Sequence, residues 1–210
     1  MPLTLYAYPP SVYCQIARMA LMECGQVAET VEVNPFSDAS NIPHPFGQVP
    51  VLDHDGFELY ETTAILRYLD ARFAEGRLTP RDPQAHARMV QVQAIADAHG
   101  YWPLVRQVFA HRVSRPAMRL APDEAEISTG LSKAETVLSA LNRIAAERLV
   151  LTSPDLTLAD IHLAPMIGFF TAASEGNRML SRFPDLCTWW HHASARDSYR
   201  ATCPPLPSAL

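Results

Sequence analysis

Asp55-Gly56 constrains this chain more than any other pair of residues. It sits between two short apolar runs in Gly47 to Leu66, GQVPVLDHDGFELYETTAIL. A tight two-residue turn needs positive φ at its centre, so Asp-Gly between apolar runs predicts a β-hairpin. Two further signals bracket it. Val49-Pro50 precedes the hairpin, and proline removes a backbone donor there. That leaves the Val49 peptide groups to face a ligand rather than a strand. Glu61-Thr62 follows the hairpin and opens a helical pattern. A helix start offers free amides and the positive end of its dipole, a site suited to a carboxylate. One stretch thus combines an extended peptide edge with an anion site, which fits a small peptide ligand.

The residues before the hairpin read as strand, helix, strand. Leu3 to Tyr8 alternates and is rich in strand formers. Pro9-Pro10-Ser11 breaks it. From Val12 the spacing is helical, with Val12, Ile16, Met19, Ala20 and Glu23-Cys24 on one face. Ser11 suits the helix N-cap and Gly25 the C-terminal cap. Glu29 to Val33 alternates as a second strand, and Asn34 to Pro45 is a polar loop. After the hairpin, Ile65, Leu69 and Phe73 share one side of a helix from about Thr62 to Phe73. A helical crossover implies parallel pairing of the first two strands, and the hairpin adds an antiparallel pair.

Ala74 to Pro83 is a linker by composition, and Asp82-Pro83 is a cap with proline at the first helical position. Beyond it strand signals largely vanish. Pro83 to about His111 is helical, with Met89, Val92, Ala96 and His99 on one stripe. Asp123 to Arg148 is a second long helix. Thr157 to Asp160 forms a capping box before an apolar helix. Phe183-Pro184-Asp185 opens another, containing Trp189 and Trp190. The expected division is an α/β domain over 1–75, a linker over 76–83 and an all-helical domain over 84–210.

Charge and cysteine usage narrow the function classes. The net charge is −5 with no long run of one sign, which argues against nucleic acid and polybasic membrane partners. Cys14, Cys24, Cys187 and Cys203 are scattered without metal-type spacing, and read as reduced thiols of a cytoplasmic protein. Met1 to Thr4 lacks a basic region before an apolar core, so no signal peptide is expected. Leu156 to Ala173 is apolar but carries Asp160 and His162, and reads as a buried helix rather than a membrane span.

The residues then add up to a family pattern. Pro10-Ser11 is followed by Ile16-Ala17-Arg18-Met19-Ala20-Leu21. Next come Phe46-Gly47-Gln48-Val49-Pro50-Val51-Leu52 and Tyr60-Glu61-Thr62-Thr63-Ala64-Ile65. The Thr157-to-Asp160 box and Phe183-Pro184 with Trp189 complete it. Along nearly its whole length the chain resembles a cytosolic glutathione transferase of the serine type, with a theta-, zeta- or phi-like bacterial character. The resemblance implies an α/β thioredoxin-like N-terminal domain (βαβ-ββα) that binds glutathione. It also implies an all-α C-terminal domain shaping the second-substrate site, a homodimer, and no metal.

Site residues follow from the same resemblance. Ser11 falls at the catalytic position, where its hydroxyl donates to the glutathione thiolate while also capping the helix. Tyr8 is the second candidate for the sulfur contact, with strand packing as its plain reading. Val49-Pro50 matches a cis-proline pair, with the Val49 backbone pairing to the cysteinyl residue of glutathione. Gln48 and His44 reach its glycyl end, unless His44 is only an exposed loop residue. Glu61 and Thr62 hold the γ-glutamyl ammonium and carboxylate. Tyr13, His99, Tyr101 and Trp102 are candidates for the electrophile site, with helical core packing the default for the last three. Asp160 has a structural job, and Trp189 and Trp190 read as core. Conjugation of glutathione to a hydrophobic electrophile is the expected activity. Cys14 gives Ser-x-x-Cys, which leaves open a glutathione-dependent reductase. An isomerase, a dehalogenase and a non-catalytic glutathione-binding module also fit the same site.

Overall fold

A computed structural model describes residues 2–37 and 42–204, so residues 38–41 of the expected loop lie outside the described residues. Four strands form one sheet in the order β2-β1-β3-β4. These are β1 (Leu3–Ala7), β2 (Glu29–Glu32), β3 (Val51–His54) and β4 (Phe57–Tyr60). β1 pairs parallel to β2, and the β1–β3 and β3–β4 pairs are antiparallel. The crossover between β1 and β2 is α1 (Val12–Glu23), and α2 (Thr62–Phe73) follows β4. This is the expected thioredoxin-like βαβ-ββα domain.

Local chemistry sets its turns. Asp55 has φ 55° and Gly56 φ 86°, the two positive values that the predicted hairpin turn requires. α1 ends in a Schellman motif: Gly25, at φ 66°, donates to the Met22 carbonyl at 3.0 Å and Gln26 to Leu21 at 2.8 Å. Space is not the constraint at this glycine, because a Cβ there would meet nothing within 4 Å. Gly25→Ala therefore isolates the backbone cost, about 1 kcal/mol. For a chain of this length that lowers Tm by about 2–4 °C; an unchanged melting curve would contradict the motif's role.

Beyond the sheet the chain is helical. α3 (Pro83–Ile95) starts on an Asp82 cap and runs without a break into a π-helical segment (Ala96–Ser114), closed by the single turn α4 (Arg115–Ala117). Pro103 inside that segment has no N–H, so a regular i→i−4 ladder cannot pass through it. Gly100, Leu104 and Val108 are buried, whereas His99, expected on the buried stripe, is exposed. Trp102 is 57 % exposed, and its expected core packing is likewise overturned.

The remaining helices are α5 (Glu124–Ala146), α6 (Leu158–Ala172), α7 (Ser174–Leu180), α8 (Pro184–Ala195) and α9 (Asp197–Thr202). α6 is the central element, with most of its residues buried, and it packs against α1, α3, α8 and the π segment. Its capping box is complete: one Asp160 oxygen accepts from the Thr157 amide at 2.8 Å and hydroxyl at 2.7 Å, the other from Trp189 Nε1 at 2.8 Å. Burial pushes the Asp160 carboxyl up, while these donors pull it back. Trp189 is core as expected, and Trp190 is half-buried against it. Among the described residues no helix is long and apolar enough to cross a membrane.

Candidate active site

The sheet register brings three separate segments to one edge. Tyr6 lies opposite Val51, and Val51 lies opposite Tyr60, so these residues form a row across β1, β3 and β4. One step beyond that row, β1 passes into the loop carrying Ser11. β3 is entered from Val49-Pro50, and β4 leaves through Glu61-Thr62. The N-terminal ends of α1 and α2 therefore flank the Val49 peptide. Val49 lies outside the register pairs of the sheet, so its peptide groups are not committed to a strand. Its bond to Pro50 is cis, matching the pair that the resemblance implied.

Ser11 is the N-cap of α1, with its oxygen accepting from the Cys14 amide at 3.3 Å. That bond uses an acceptor lone pair and leaves the hydroxyl hydrogen free to donate. Capping and donation to an anion are thus compatible at one side chain. Cys14 is different. It is fully buried, its sulfur accepts from the Tyr8 amide at 3.3 Å, and burial pushes its thiol up. Nucleophilic cysteines need the opposite environment, a lowered pKa and access. Tyr8 is half-buried, with its ring edge-on to Phe36 at 5.9 Å.

Glu61 is the N-cap of α2, not Thr62, and it caps without a side-chain hydrogen bond. Its backbone sits at φ 69° and ψ 113°, a region that costs a non-glycine residue of order 1–3 kcal/mol. The exposed Glu61 carboxylate and the uncapped first-turn amides of α2 are consequently both available to a ligand. Thr62 is buried beside them. Glu61→Gly separates the two roles of the position. It relieves the strained φ and raises Tm by a few degrees; if Glu61 holds the γ-glutamyl ammonium as the resemblance implies, loss of a charge-assisted contact of about 1.5–3 kcal/mol raises KM for glutathione at least tenfold. A fall in Tm with KM unchanged would overturn this.

His44 is buried rather than exposed, because its own loop folds back on it. Nδ1 accepts from the Phe46 amide at 3.1 Å, and the ring lies 5.0 Å from Tyr60. Burial lowers its pKa, with Glu61 acting against that shift. Gln48 is exposed on the same loop.

Tyr13 and Tyr101 come together, with ring centroids 5.0 Å apart, on facing helices of the two domains. His99 and Trp102 are exposed. A group that the sequence does not assemble lies here. The Asp97 carboxylate accepts from Thr63 Oγ1 at 3.4 Å and from His162 Nε2 at 2.8 Å, and its charge acts on the Tyr13 hydroxyl. Burial first, then Asp97, drives the Tyr13 hydroxyl far above its ordinary range. His162 is fully buried. A histidine and a threonine inside apolar or capping patterns are the available signals, and neither names the partner. No cluster of metal-type ligands occurs among the described residues. A separate cleft of about 900 Å³ lies beyond the C-terminal end of α2, lined by Phe73, Arg77, Arg81 and Asp155 among others, none of them at this sheet edge.

Similarity to known proteins places this arrangement in a family. The family model for the glutathione S-transferase N-terminal domain matches residues 5–77. Glutathione S-transferase PM239X14 of Arabidopsis thaliana is 30% identical over 151 residues, spanning 70% of this chain and 68% of its own. The chain belongs to the glutathione S-transferase family. Glutathione S-transferase 3 of Zea mays is 26% identical over 98% of this chain and 95% of its own length. The solved apo structure of glutathione S-transferase III superposes with a TM-score of 0.83 at 26% identity, covering 100% of both chains. As a family member the chain pairs the thioredoxin-like domain with the helical one.

Proposed function

We propose that this chain conjugates the glutathione thiolate to a hydrophobic electrophile. The observation that carries the reading is the placement of the Ser11 hydroxyl, the Val49 peptide and the Glu61-Thr62 helix start along one sheet edge. In this reading Val49 pairs with the cysteinyl backbone. Glu61 takes the γ-glutamyl ammonium, and Thr62 takes its carboxylate. Gln48 and His44 reach the glycyl end beside Pro50. Ser11 donates to the sulfur at the positive end of α1, which favours thiolate over thiol. The thiol proton leaves to water, the sulfur forms a bond to carbon, and the electrophile expels its leaving group or opens its ring. Tyr13 and Tyr101 form an aromatic wall for that electrophile, while His99 and Trp102 stand at the rim at most.

The same reading divides the chain into a glutathione domain over 1–75, a linker over 76–83 and a second-substrate domain over 84–210. It places the protein in the cytoplasm as a homodimer. Phe46, 71 % exposed, and the exposed Phe57 and Tyr60 supply apolar surface on the first domain for a second copy. Burial of Cys14 weighs against a reductase, since disulfide exchange needs an accessible thiolate. The test is retention on immobilised glutathione together with conjugation of a generic aryl halide. Retention without turnover of any electrophile supports a binding module instead. Turnover of a mixed disulfide that is lost in Cys14→Ser supports the reductase.

A further inference from the structure

We propose that the cleft beyond the C-terminal end of α2 is a second binding site, which takes a short zwitterionic α-peptide with apolar side chains. The cleft has a volume of about 900 Å³. One wall is the segment between α2 and α3, and the other is the segment between α5 and α6. It therefore lies where the α/β domain meets the helical one, a common place for a ligand site. A space of that volume is about 10 Å across, close to the length of an extended tripeptide. The two walls are tied together. The buried Asp70 carboxylate accepts from the Leu78 amide at 3.0 Å and from the Thr79 hydroxyl at 2.7 Å. The Leu78 carbonyl in turn accepts at 2.9 Å from the amide of Leu158, the first residue of α6. A ligand thus meets a preformed surface and loses less free energy to ordering.

The lining carries charges of both signs that the protein leaves unused. Glu75, Arg81 and Asp155 are exposed, and among the described residues their ionic groups have no hydrogen bond and no ion pair. Two other charges at the cleft are spent: Arg77 donates to the Glu23 carbonyl, and Asp82 caps α3. Opposite charges that stand around one cleft without bridging each other match a ligand that carries both signs. The Arg81 guanidinium suits a terminal carboxylate, which it can hold by two parallel bonds. Glu75 and Asp155 suit a terminal ammonium. A simple anion would face two carboxylates, and a simple cation would face Arg81, so the pattern discriminates against both. Phe73, Leu149 and Leu156 are half-buried in the same lining and offer apolar surface to the peptide's side chains.

The experiment titrates leucyl-glycyl-leucine into the full-length protein by calorimetry, with and without saturating glutathione. Its N-acetylated and C-amidated forms are titrated alongside. The free peptide is expected to bind at one equivalent whether or not glutathione is present. Blocking either end is expected to weaken binding about fivefold, the size of an exposed charge pair. Arg81→Ala is expected to weaken the free and N-acetylated peptides by that factor and to leave the amide unchanged. The double variant Glu75→Gln, Asp155→Asn is expected to weaken the free peptide and the amide and to leave the N-acetylated form unchanged. All three positions are exposed, so Tm stays at the wild-type value. Absence of binding overturns the proposal. Equal binding of the three forms makes the cleft a plain apolar patch, and tighter binding of either blocked form makes it a site for one charge; both results overturn it. Displacement by glutathione moves the peptide to the sheet edge and overturns it as well. Conjugation enters none of these readouts, so failure of the conjugation reading and failure of this proposal are told apart.

Discussion

Ser11→Ala is expected to lower kcat/KM for conjugation about 100-fold near neutral pH and to raise the pKa of bound glutathione by one to two units. A free thiol with pKa of about 8.5 is mostly protonated at pH 7, and each unit of lowering takes ~1.4 kcal/mol of preferential anion stabilisation. One hydrogen bond to a charged acceptor, with the helix terminus behind it, is of that order. The sign of the pH dependence follows. Below both pKa values the thiolate fraction falls tenfold per unit of pKa, so the variant's deficit is largest there. The deficit closes as pH rises through the variant's higher pKa, because bulk deprotonation then replaces the missing donor. The substitution also removes the α1 cap and costs about 1 kcal/mol of stability, so Tm is measured alongside. Tyr8→Phe is the contrast, with less than about a threefold loss expected, since its ring stands against Phe36 as a packing residue. If Tyr8→Phe carries the large loss and Ser11→Ala leaves the thiol pKa where it was, the serine assignment fails.

The largest stability effect is expected from Asp160→Ala, about 3–5 kcal/mol, read as a fall in Tm of about 6–20 °C. Three donors converge on this carboxylate inside the protein: the Thr157 amide, the Thr157 hydroxyl and Trp189 Nε1. Alanine leaves them unpaired in a dry environment and opens a cavity beside Trp189. The loss reaches further than one cap because α6 contacts both α1 and the helices around it. Asp160→Asn keeps one acceptor oxygen and is expected to fall between wild type and alanine. Equilibrium unfolding followed by tryptophan fluorescence checks both, as Trp189 reports on the site directly. Equal stability of Asp160→Ala and wild type would show that the capping box contributes nothing.

The two predictions differ in how far they could be reached from the sequence. Thr157 and Asp160 are three residues apart, and the capping pattern names both partners. The third partner, Trp189, lies 29 residues on and reads only as core. Ser11 reads as a cap from its place between a strand and a helix, and its second role comes from the pattern of residues around it. Glu61 is legible as a ligand carboxylate, but its positive φ is not, since nothing in Tyr60-Glu61-Thr62 asks for that conformation. His44 reads equally well as a contact or an exposed loop residue. The fold-back of its own loop, through Nδ1 and the Phe46 amide, decided that it is buried.

The sequence by itself determined the elements, their order and their turns. Asp55-Gly56, Gly25, Asp82-Pro83 and Thr157-to-Asp160 each act over six residues or fewer, so their chemistry is complete within a short window. Helical and strand spacing act over similar distances, which is why the βαβ-ββα order and the helical second half could be read directly. Only the tertiary structure decided what sits across from what. Packing of the π segment left His99 exposed and covered Gly100. Packing closed over Cys14. Folding joined Asp97 to His162 across 65 positions and to Thr63 across 34. Such pairs have no local signal, because each partner alone is consistent with many surroundings and the choice is made by how whole helices pack. The Asp55-Gly56 hairpin stands on the boundary. Its turn was written in two residues, yet the row from Tyr6 through Val51 to Tyr60, which gathers the site, exists only because β1 pairs with β3.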